Sequence, residues 1–327
     1  MTDPRPFQLT RAGVLLAPAP GFRREAGGVL NPTVYQVHGR TLMMYRAVDS
    51  IPENFSRLAL AELRWEGDRL VATRLDSLAL EPSEPYELLS PGPGGGCEDP
   101  RVTAIGDELY LCYTGYGGDN APRIALARSR DGIRWERMGL ARFTMHVAVG
   151  QAIDFNQVDN KDAMLFPQLI GGRYAMLHRP MFRGEIKEQY QPRQSIWISF
   201  SKDMIHWEDH QVVAEPEAQW ECLKLGGGTQ PVWTPEGWLM VYHGVEGERD
   251  SDPNRRYSAG AMVLDLEAPW RVVYRSPEPI LTPDAAEERE GVVNNVVFPT
   301  GLWRGEDGKF LVAYGMADWC IGWARMN

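Results

Sequence analysis

The chain has 327 residues, 43% hydrophobic and 24% charged, with 34 basic against 44 acidic side chains and a formal net charge of −10. Without a basic arm or stripe, that balance argues against nucleic acid or an anionic membrane as the main partner. No run approaches the roughly 18 apolar residues a membrane span needs, and the start M-T-D-P-R-P-F lacks the basic-then-apolar pattern of a secretion signal.

In chain order, one segment recurs five times: Asn31 to Arg46, Asp99 to Thr114, Asp162 to Arg179, Thr229 to His243 and Val297 to Gly315. With Tyr45, Tyr113, Leu177, Tyr242 and Tyr314 taken as equivalent, the intervals are 68, 64, 65 and 72 residues, which reads as one supersecondary unit repeated. Each copy holds an apolar run, a tight turn and a second run. The turns are His38-Gly39, Gly106-Asp107, Gly171-Gly172, Pro235 to Gly237 and Arg304 to Gly308, a β-hairpin signature. A third run follows each hairpin, beginning at Arg57, Arg123, Ser195, Tyr257 and Cys320. Two of these third runs lead into S-R-D-G-I-R-W and S-K-D-M-I-H-W, where Asp caps a turn and Trp packs between sheets.

Four short antiparallel strands repeated five times describe an all-β, five-bladed β-propeller, with a β-sandwich as the competing arrangement. The last repeat runs out at Asn327 before its outer strand, so the segment Leu9 to Leu16 is expected to supply it. No linker divides the chain, and residues 1–327 are expected to form a single domain. Only Pro283 to Arg289 reads as a short helix. The four cysteines, Cys97, Cys112, Cys222 and Cys320, lack C-x-x-C spacing, which fits free thiols and a cytoplasmic location. No cluster has a spacing that compels a metal.

In a propeller, equivalent strand ends converge on one face of a central channel. The starts of the inner strands carry Asn31, Glu98-Asp99, Lys161-Asp162, Gly226 to Gln230 and Asn294-Asn295. The returning ends carry Arg46 with Asp49, Tyr113 with Tyr116, His178-Arg179, Tyr242-His243 and Asp318. Carboxylates and amides suited to hydroxyl groups thus stand beside cations suited to an anion; the competing reading is that the bases only pair with Glu98, Asp99 and Asp162. Of the histidines, His178 and His243 are set apart because they fall at nearly the same place in two repeats. Glycoside cleavage needs an acid for the leaving oxygen and an attacking group on the opposite face. A hydrolase adds a second carboxylate for water, whereas phosphate is already a nucleophile and needs only positioning and neutralisation. The basic cluster therefore shifts the reading toward phosphorolysis.

The peptides C-E-D-P-R (Cys97 to Arg101), K-D-A-M-L-F-P (Lys161 to Pro167), M-L-H-R-P (Met176 to Pro180), K-L-G-G-G-T-Q-P (Lys224 to Pro231), V-Y-H-G (Val241 to Gly244) and A-D-W-C-I-G (Ala317 to Gly322), with Asn31-Pro32 and Tyr45-Arg46, resemble glycoside hydrolase family 130, the β-mannoside phosphorylases and related β-1,2-mannosidases. The resemblance spans nearly the whole chain in order. It implies a five-bladed propeller in which inorganic phosphate, as co-substrate and without any cofactor, cleaves a β-mannoside oligosaccharide with inversion to α-mannose 1-phosphate. It implies Asp99 as the general acid, its proton passing through a mannose hydroxyl. Asn31, Glu98, Arg101, Asp162, His178, Tyr242 and Asp318 are assigned to sugar, and Arg46, Lys161, Arg179, Lys224 and His243 to phosphate. It also makes a homo-oligomer compatible. Two alternatives stay open: a hydrolase of the same fold in which Asp99 pairs with Asp162 or another carboxylate, and a propeller that only binds carbohydrate. Linkage and acceptor choice are assigned to the loops Pro91 to Gly96, Phe182 to Gln194 and Glu246 to Arg256.

Overall fold

The computed structural model describes residues 7–49, 54–89, 94–118, 121–148, 151–182 and 194–327. The linkage loops named above fall partly outside this set, at 91–93 and 183–193. Among the described residues the chain is all-β apart from single helical turns, the longest helix being Ala286–Arg289. No helix among them is long and apolar enough to cross a membrane.

The strands form antiparallel groups in chain order. Gly28–Val37, Arg40–Val48, Ser56–Glu66 and Arg69–Leu80 make the first group, and Gly96–Ile105, Glu108–Gly117, Ala121–Ser129 and Glu136–Leu140 the second. A single parallel bridge, Ser56 to Gly96, joins these two. Asp159–Leu165, Tyr174–Met181, Ile196–Ser201 and His206–Ala214 make the third. In the fourth, Gly237–Glu246 pairs with two short pieces, Lys224–Gly226 and Val232–Thr234, and is followed by Arg256–Leu264 and Val272–Arg275. The fifth comprises Val297–Arg304, Phe310–Met316 and Cys320–Met326, with Leu9–Leu16 from the start of the chain pairing antiparallel to Cys320–Met326.

The hairpin turns form where residues tolerate positive φ: His38 and Gly39 sit at +48° and +74°, and Gly171 and Gly172 at +56° and +78°. Such left-handed pairs match the twist of the flanking strands. Apolar side chains then fill the space between successive sheets. Tyr35, Leu58, Val102 and Tyr113 lie between the first and second groups, and Cys112, Ile124, Met176 and Trp197 between the second and third. Phe166, Leu177, Met240 and Tyr242 separate the third from the fourth. Leu239, Val241, Val297 and Tyr314 separate the fourth from the fifth, and Val29, Tyr45, Trp303 and Ile321 bring the fifth back against the first. The packing order is therefore cyclic.

A repeated polar set pins this packing. The hydroxyls of Tyr45, Tyr113, Tyr242 and Tyr314 donate to Glu25 (2.8 Å), Glu87 (2.6 Å), Glu221 (3.1 Å) and Glu288 (3.0 Å). Each buried carboxylate also pairs with an arginine of the fourth strand of its group: Arg74, Arg137, Arg275 and Arg11 respectively. A buried carboxylate with both partners present is satisfied; one partner removed leaves it costly.

His178 corrects the alignment of the repeats. Register pairs Leu30 with Arg46, Glu98 with Thr114, Lys161 with Arg179 and Gly226 with His243. His178, not Leu177, is thus the counterpart of Tyr45, Tyr113 and Tyr242. In this group the tyrosine set is replaced by a chain of contacts from His178 to Asn160 Oδ1 (3.0 Å) and Ser199 Oγ (2.7 Å), and from Ser199 to His210 Nδ1 (2.8 Å).

Candidate active site

The inner strands break register at one equivalent place, between Leu30 and Thr33, Glu98 and Arg101, and Lys161 and Met164. At each break one polar residue takes the left-handed conformation: Asn31 at φ +51°, Asp99 at +48° and Asp162 at +56°. Asn and Asp tolerate this region better than other non-glycine residues, and such bulges re-aim side chains. In the fourth group a glycine run, Gly226 to Gly228, stands at this place and lets neighbouring chain segments approach closely. A Cβ on Gly228 would lie 2.2 Å from the carbonyl oxygen of Val241, and one on Gly226 2.6 Å from Asp162 Oδ2, so neither position admits a side chain.

Asn31 Nδ2–H donates to Asp99 Oδ1 at 2.7 Å. Arg46 donates to the same oxygen at 3.2 Å, to Glu98 Oε1 at 2.7 Å, to Asn54 Oδ1 at 3.0 Å and to Ser56 Oγ at 2.8 Å. Burial by itself would raise the Asp99 carboxyl, yet Arg46, Lys161 and Arg101 outweigh it and hold the group below the ordinary aspartate value. Glu98 is raised, because burial and the neighbouring Asp99 and Asp318 outweigh the attraction of Arg46 and Lys161. Asp318, at φ +51°, is raised for the same first reason, burial.

Two connected spaces meet here. A basin of about 480 Å³ is walled by Leu30, Asn54, Glu98, Tyr116, Pro122 and Val292 among others. A narrower chamber of about 170 Å³ is walled by Asn31, Asp99, Arg179, Lys224, His243, Arg255, Tyr257 and Phe298 among others. Arg46, Lys161, Val293 and Asp318 belong to both. The basin thus offers an amide, two carboxylates, a phenol and apolar faces, as a sugar ring requires, while the chamber gathers five cations and an imidazole on a protein of net charge −10.

Behind the chamber wall, Asp162 is fully buried, with Arg179 Nε 2.7 Å from its Oδ2 and His243 Nε2 at 3.8 Å. Burial would raise it, but Arg179 and Lys161 hold it far below the usual carboxylate range. His243 donates from Nδ1 to the carbonyl of Gly227 at 3.0 Å, and burial pushes its value down to about 3, so the ring is neutral. Lys161 is raised, the pull of Asp162 and Asp99 exceeding the effect of burial.

Of the residues expected at the site, the structure brings Asn31, Arg46, Glu98, Asp99, Lys161, Arg179, Lys224, His243 and Asp318 onto the walls of these spaces. Four expectations are corrected. Tyr242 faces the opposite side of its strand from His243 and is held by Glu221 and Arg275, so it packs between sheets. His178 likewise alternates with Arg179 and is committed to Asn160 and Ser199; it is not the partner position of His243. Arg101 is buried behind the acid, its guanidinium donating to the carbonyls of Asp99 (3.0 Å), Pro100 (3.1 Å) and Gly228, so it braces the backbone that carries Asp99. Asp162 lies outside both walls and is paired with Arg179.

Several wall residues were not anticipated: Arg255, Tyr257, Asn54, Val293 and Phe298. The strand start R-R-Y beside a polar loop was the available signal for Arg255 and Tyr257. Nor was Asp250 anticipated, whose carboxylate binds Lys224 and lies 3.4 Å from Gln194 Nε2, while Gln194 Oε1 accepts from Arg179 at 3.1 Å.

A profile of the glycoside hydrolase 130 family, described as beta-1,4-mannooligosaccharide phosphorylase, matches residues 17–327. The chain is 35% identical over 311 residues to a 1,2-beta-oligomannan phosphorylase of Thermoanaerobacter sp. strain X514, covering 93% of this chain and 91% of the other. It is 31% identical to a beta-1,2-mannobiose phosphorylase of the same strain, covering 97% and 96% of the two chains. In structure it is similar to the beta-1,2-mannobiose phosphorylase of Listeria innocua, with a TM-score of 0.76 at 24% identity over 98% of this chain and 96% of that one. The chain belongs to glycoside hydrolase family 130.

Proposed function

We propose that this chain is an inverting β-mannoside phosphorylase that joins the mannosyl group of a β-linked manno-oligosaccharide or mannosyl-glucose to inorganic phosphate, releasing α-mannose 1-phosphate. The observation that carries the reading is the chamber in which Arg46, Lys161, Arg179, Lys224 and Arg255 converge beside Asp99. Phosphate there presents an oxygen to the anomeric carbon, the carbon–oxygen bond to the leaving sugar breaks on the other face, and Asp99 supplies the proton the leaving oxygen takes. Asn31, Glu98 and Asp318 hold mannose hydroxyls. A water-activating role for Asp162 is disfavoured by its ion pair with Arg179 and its position behind the wall.

The related phosphorylases support phosphate as the co-substrate. The cyclic packing of the sheets and the N-terminal strand seated on the last one support a single five-bladed propeller. Free Cys97, Cys112, Cys222 and Cys320 support a reducing, cytoplasmic setting, and a homo-oligomer is tested by sedimentation.

The direct test is sugar release from β-mannobiose against phosphate concentration. Cleavage that rises from zero with phosphate supports the reading, and equal cleavage in phosphate-free buffer refutes it.

A further inference from the structure

Asp99 is held in the wrong charge form for the step it has to perform. Both contacts on its Oδ1, the amide of Asn31 at 2.7 Å and the guanidinium of Arg46 at 3.2 Å, are donors, and donors of this kind favour a carboxylate without its proton. A leaving-group acid must instead carry one.

The cations responsible are shared. Arg46 and Lys161 line the sugar basin and the anion chamber alike. The other charged groups around Asp99 are Arg101, the carboxylates of Glu98 and Asp318 that compete for the same cations, and, elsewhere on the chamber wall, Arg179, Lys224, Arg255 and the neutral imidazole of His243. Arg101 is tied to three carbonyl oxygens behind the acid, so its charge is fixed whatever enters the chamber.

Resting on the phosphorylase reading, we propose that anion binding in the chamber loads the proton onto Asp99, with Arg46 as the positioning residue that couples the two events. An arriving phosphate dianion claims part of the field of Arg46 and Lys161, adds its own negative charge beside Glu98, Asp99 and Asp318, and so draws one proton from solvent onto the Glu98–Asp99 pair. On attack, the phosphate oxygen bonds to the anomeric carbon, the bond to the leaving oxygen breaks, and that proton passes to the leaving oxygen. That transfer leaves Asp99 ionised, and departure of the sugar phosphate returns Arg46 and Lys161 to it. The acid is therefore armed only when the nucleophile is present, which disfavours cleavage by water in an enzyme that has bound sugar alone.

The test uses sulfate as the probe, a dianion that carries no proton near pH 5.5. Calorimetric titration of the intact protein with sulfate, in two buffers of different ionisation enthalpy, reads the protons taken up per anion bound. Net proton uptake on sulfate binding is expected in the wild type, and a clearly smaller uptake in Asp99→Asn, where only Glu98, Asp318 and His243 remain to respond. In Arg46→Lys, whose ammonium cannot reproduce the forked contact to Glu98 and Asp99, the uptake falls as well. Sulfate binding with no proton uptake, or uptake undiminished in Asp99→Asn, overturns the proposal while leaving the phosphorylase reading intact. Failure of both sulfate and phosphate to bind the wild type defeats the phosphorylase reading itself. A second readout is the alkaline limb of the pH–rate profile, which moves to higher pH as phosphate is raised from sub-saturating to saturating; a limb in the same place at both levels also overturns it.

Discussion

Asn31 and Asp99 stand 68 residues apart in the chain and 2.7 Å apart in space, each in the left-handed conformation at the same register break of neighbouring sheets. The pair places the carboxyl of Asp99 on the chamber wall with one oxygen committed to donors. Asp99→Asn preserves shape and removes the transferable proton. Turnover is expected to fall by roughly three powers of ten or more with mannoside affinity retained, measured by steady-state kinetics beside equilibrium binding.

Asp250 occupies Lys224 from a loop, its side chain about half exposed (55%). A carboxylate there competes with an incoming anion for the same ammonium. Asp250→Asn is expected to lower the KM for phosphate a few-fold, with the KM for mannoside unchanged. A higher phosphate KM in this variant identifies Asp250 as a strut that positions Lys224.

Asp318 carries a stability penalty with a definite pH dependence. Its carboxyl is raised in the folded chain by burial, so the folded state binds the proton more tightly than the unfolded one. Stability contributed by the group is therefore greatest at low pH and is lost as pH rises from the ordinary aspartate value through the raised one. Asp318→Asn is expected to increase Tm at pH 7, to leave it unchanged at pH 3, and to reduce turnover, read by thermal melts at the two pH values and by kinetics.

The Tyr–Glu–Arg sets are expected to govern stability without touching chemistry. Glu288 is fully buried between Tyr314 and Arg11, which comes from the first strand of the described chain. Arg11→Ala leaves that carboxylate without its countercharge, held only by the Tyr314 hydroxyl and the backbone N–H groups of Asp284 and Ala285, and is expected to cost about 3 kcal/mol of unfolding free energy by denaturant titration, with the KM for phosphate unaltered.

Much of this arrangement is written in the sequence because turns and alternation are local. His38-Gly39 and Gly171-Gly172 mark hairpins through their tolerance of positive φ, and E-D-P-R and K-L-G-G-G mark strand starts that reach the walls. The third hairpin is the exception: Asp162 to His178 spans 16 positions against 14 from Asn31 to Tyr45 and from Asp99 to Tyr113, and no tyrosine marks the place, so counting along the third group puts Leu177 where His178 stands and pairs His178 with His243. Period-two alternation, applied from Arg179 and His243, assigns His178 and Tyr242 to the packed side. The partners of the tyrosines were illegible for another reason. Glu25, Glu87, Glu221 and Glu288 sit in short helical turns whose composition resembles solvent-exposed loop, and only the closing of successive sheets buries them. Asp250 and Arg255 depend on loop conformation, which carries no periodic signal.

The central claim is that phosphate held in the cation-lined chamber attacks the anomeric carbon with inversion while Asp99 is the source of the proton for the leaving oxygen. Phosphorus NMR of the enzyme with β-mannobiose and phosphate, recorded before products equilibrate, tests it most directly. The account predicts α-mannose 1-phosphate as the first product, in step with release of one mannose. Formation of the β-anomer, or free mannose appearing at the same rate with no phosphorylated sugar, contradicts it.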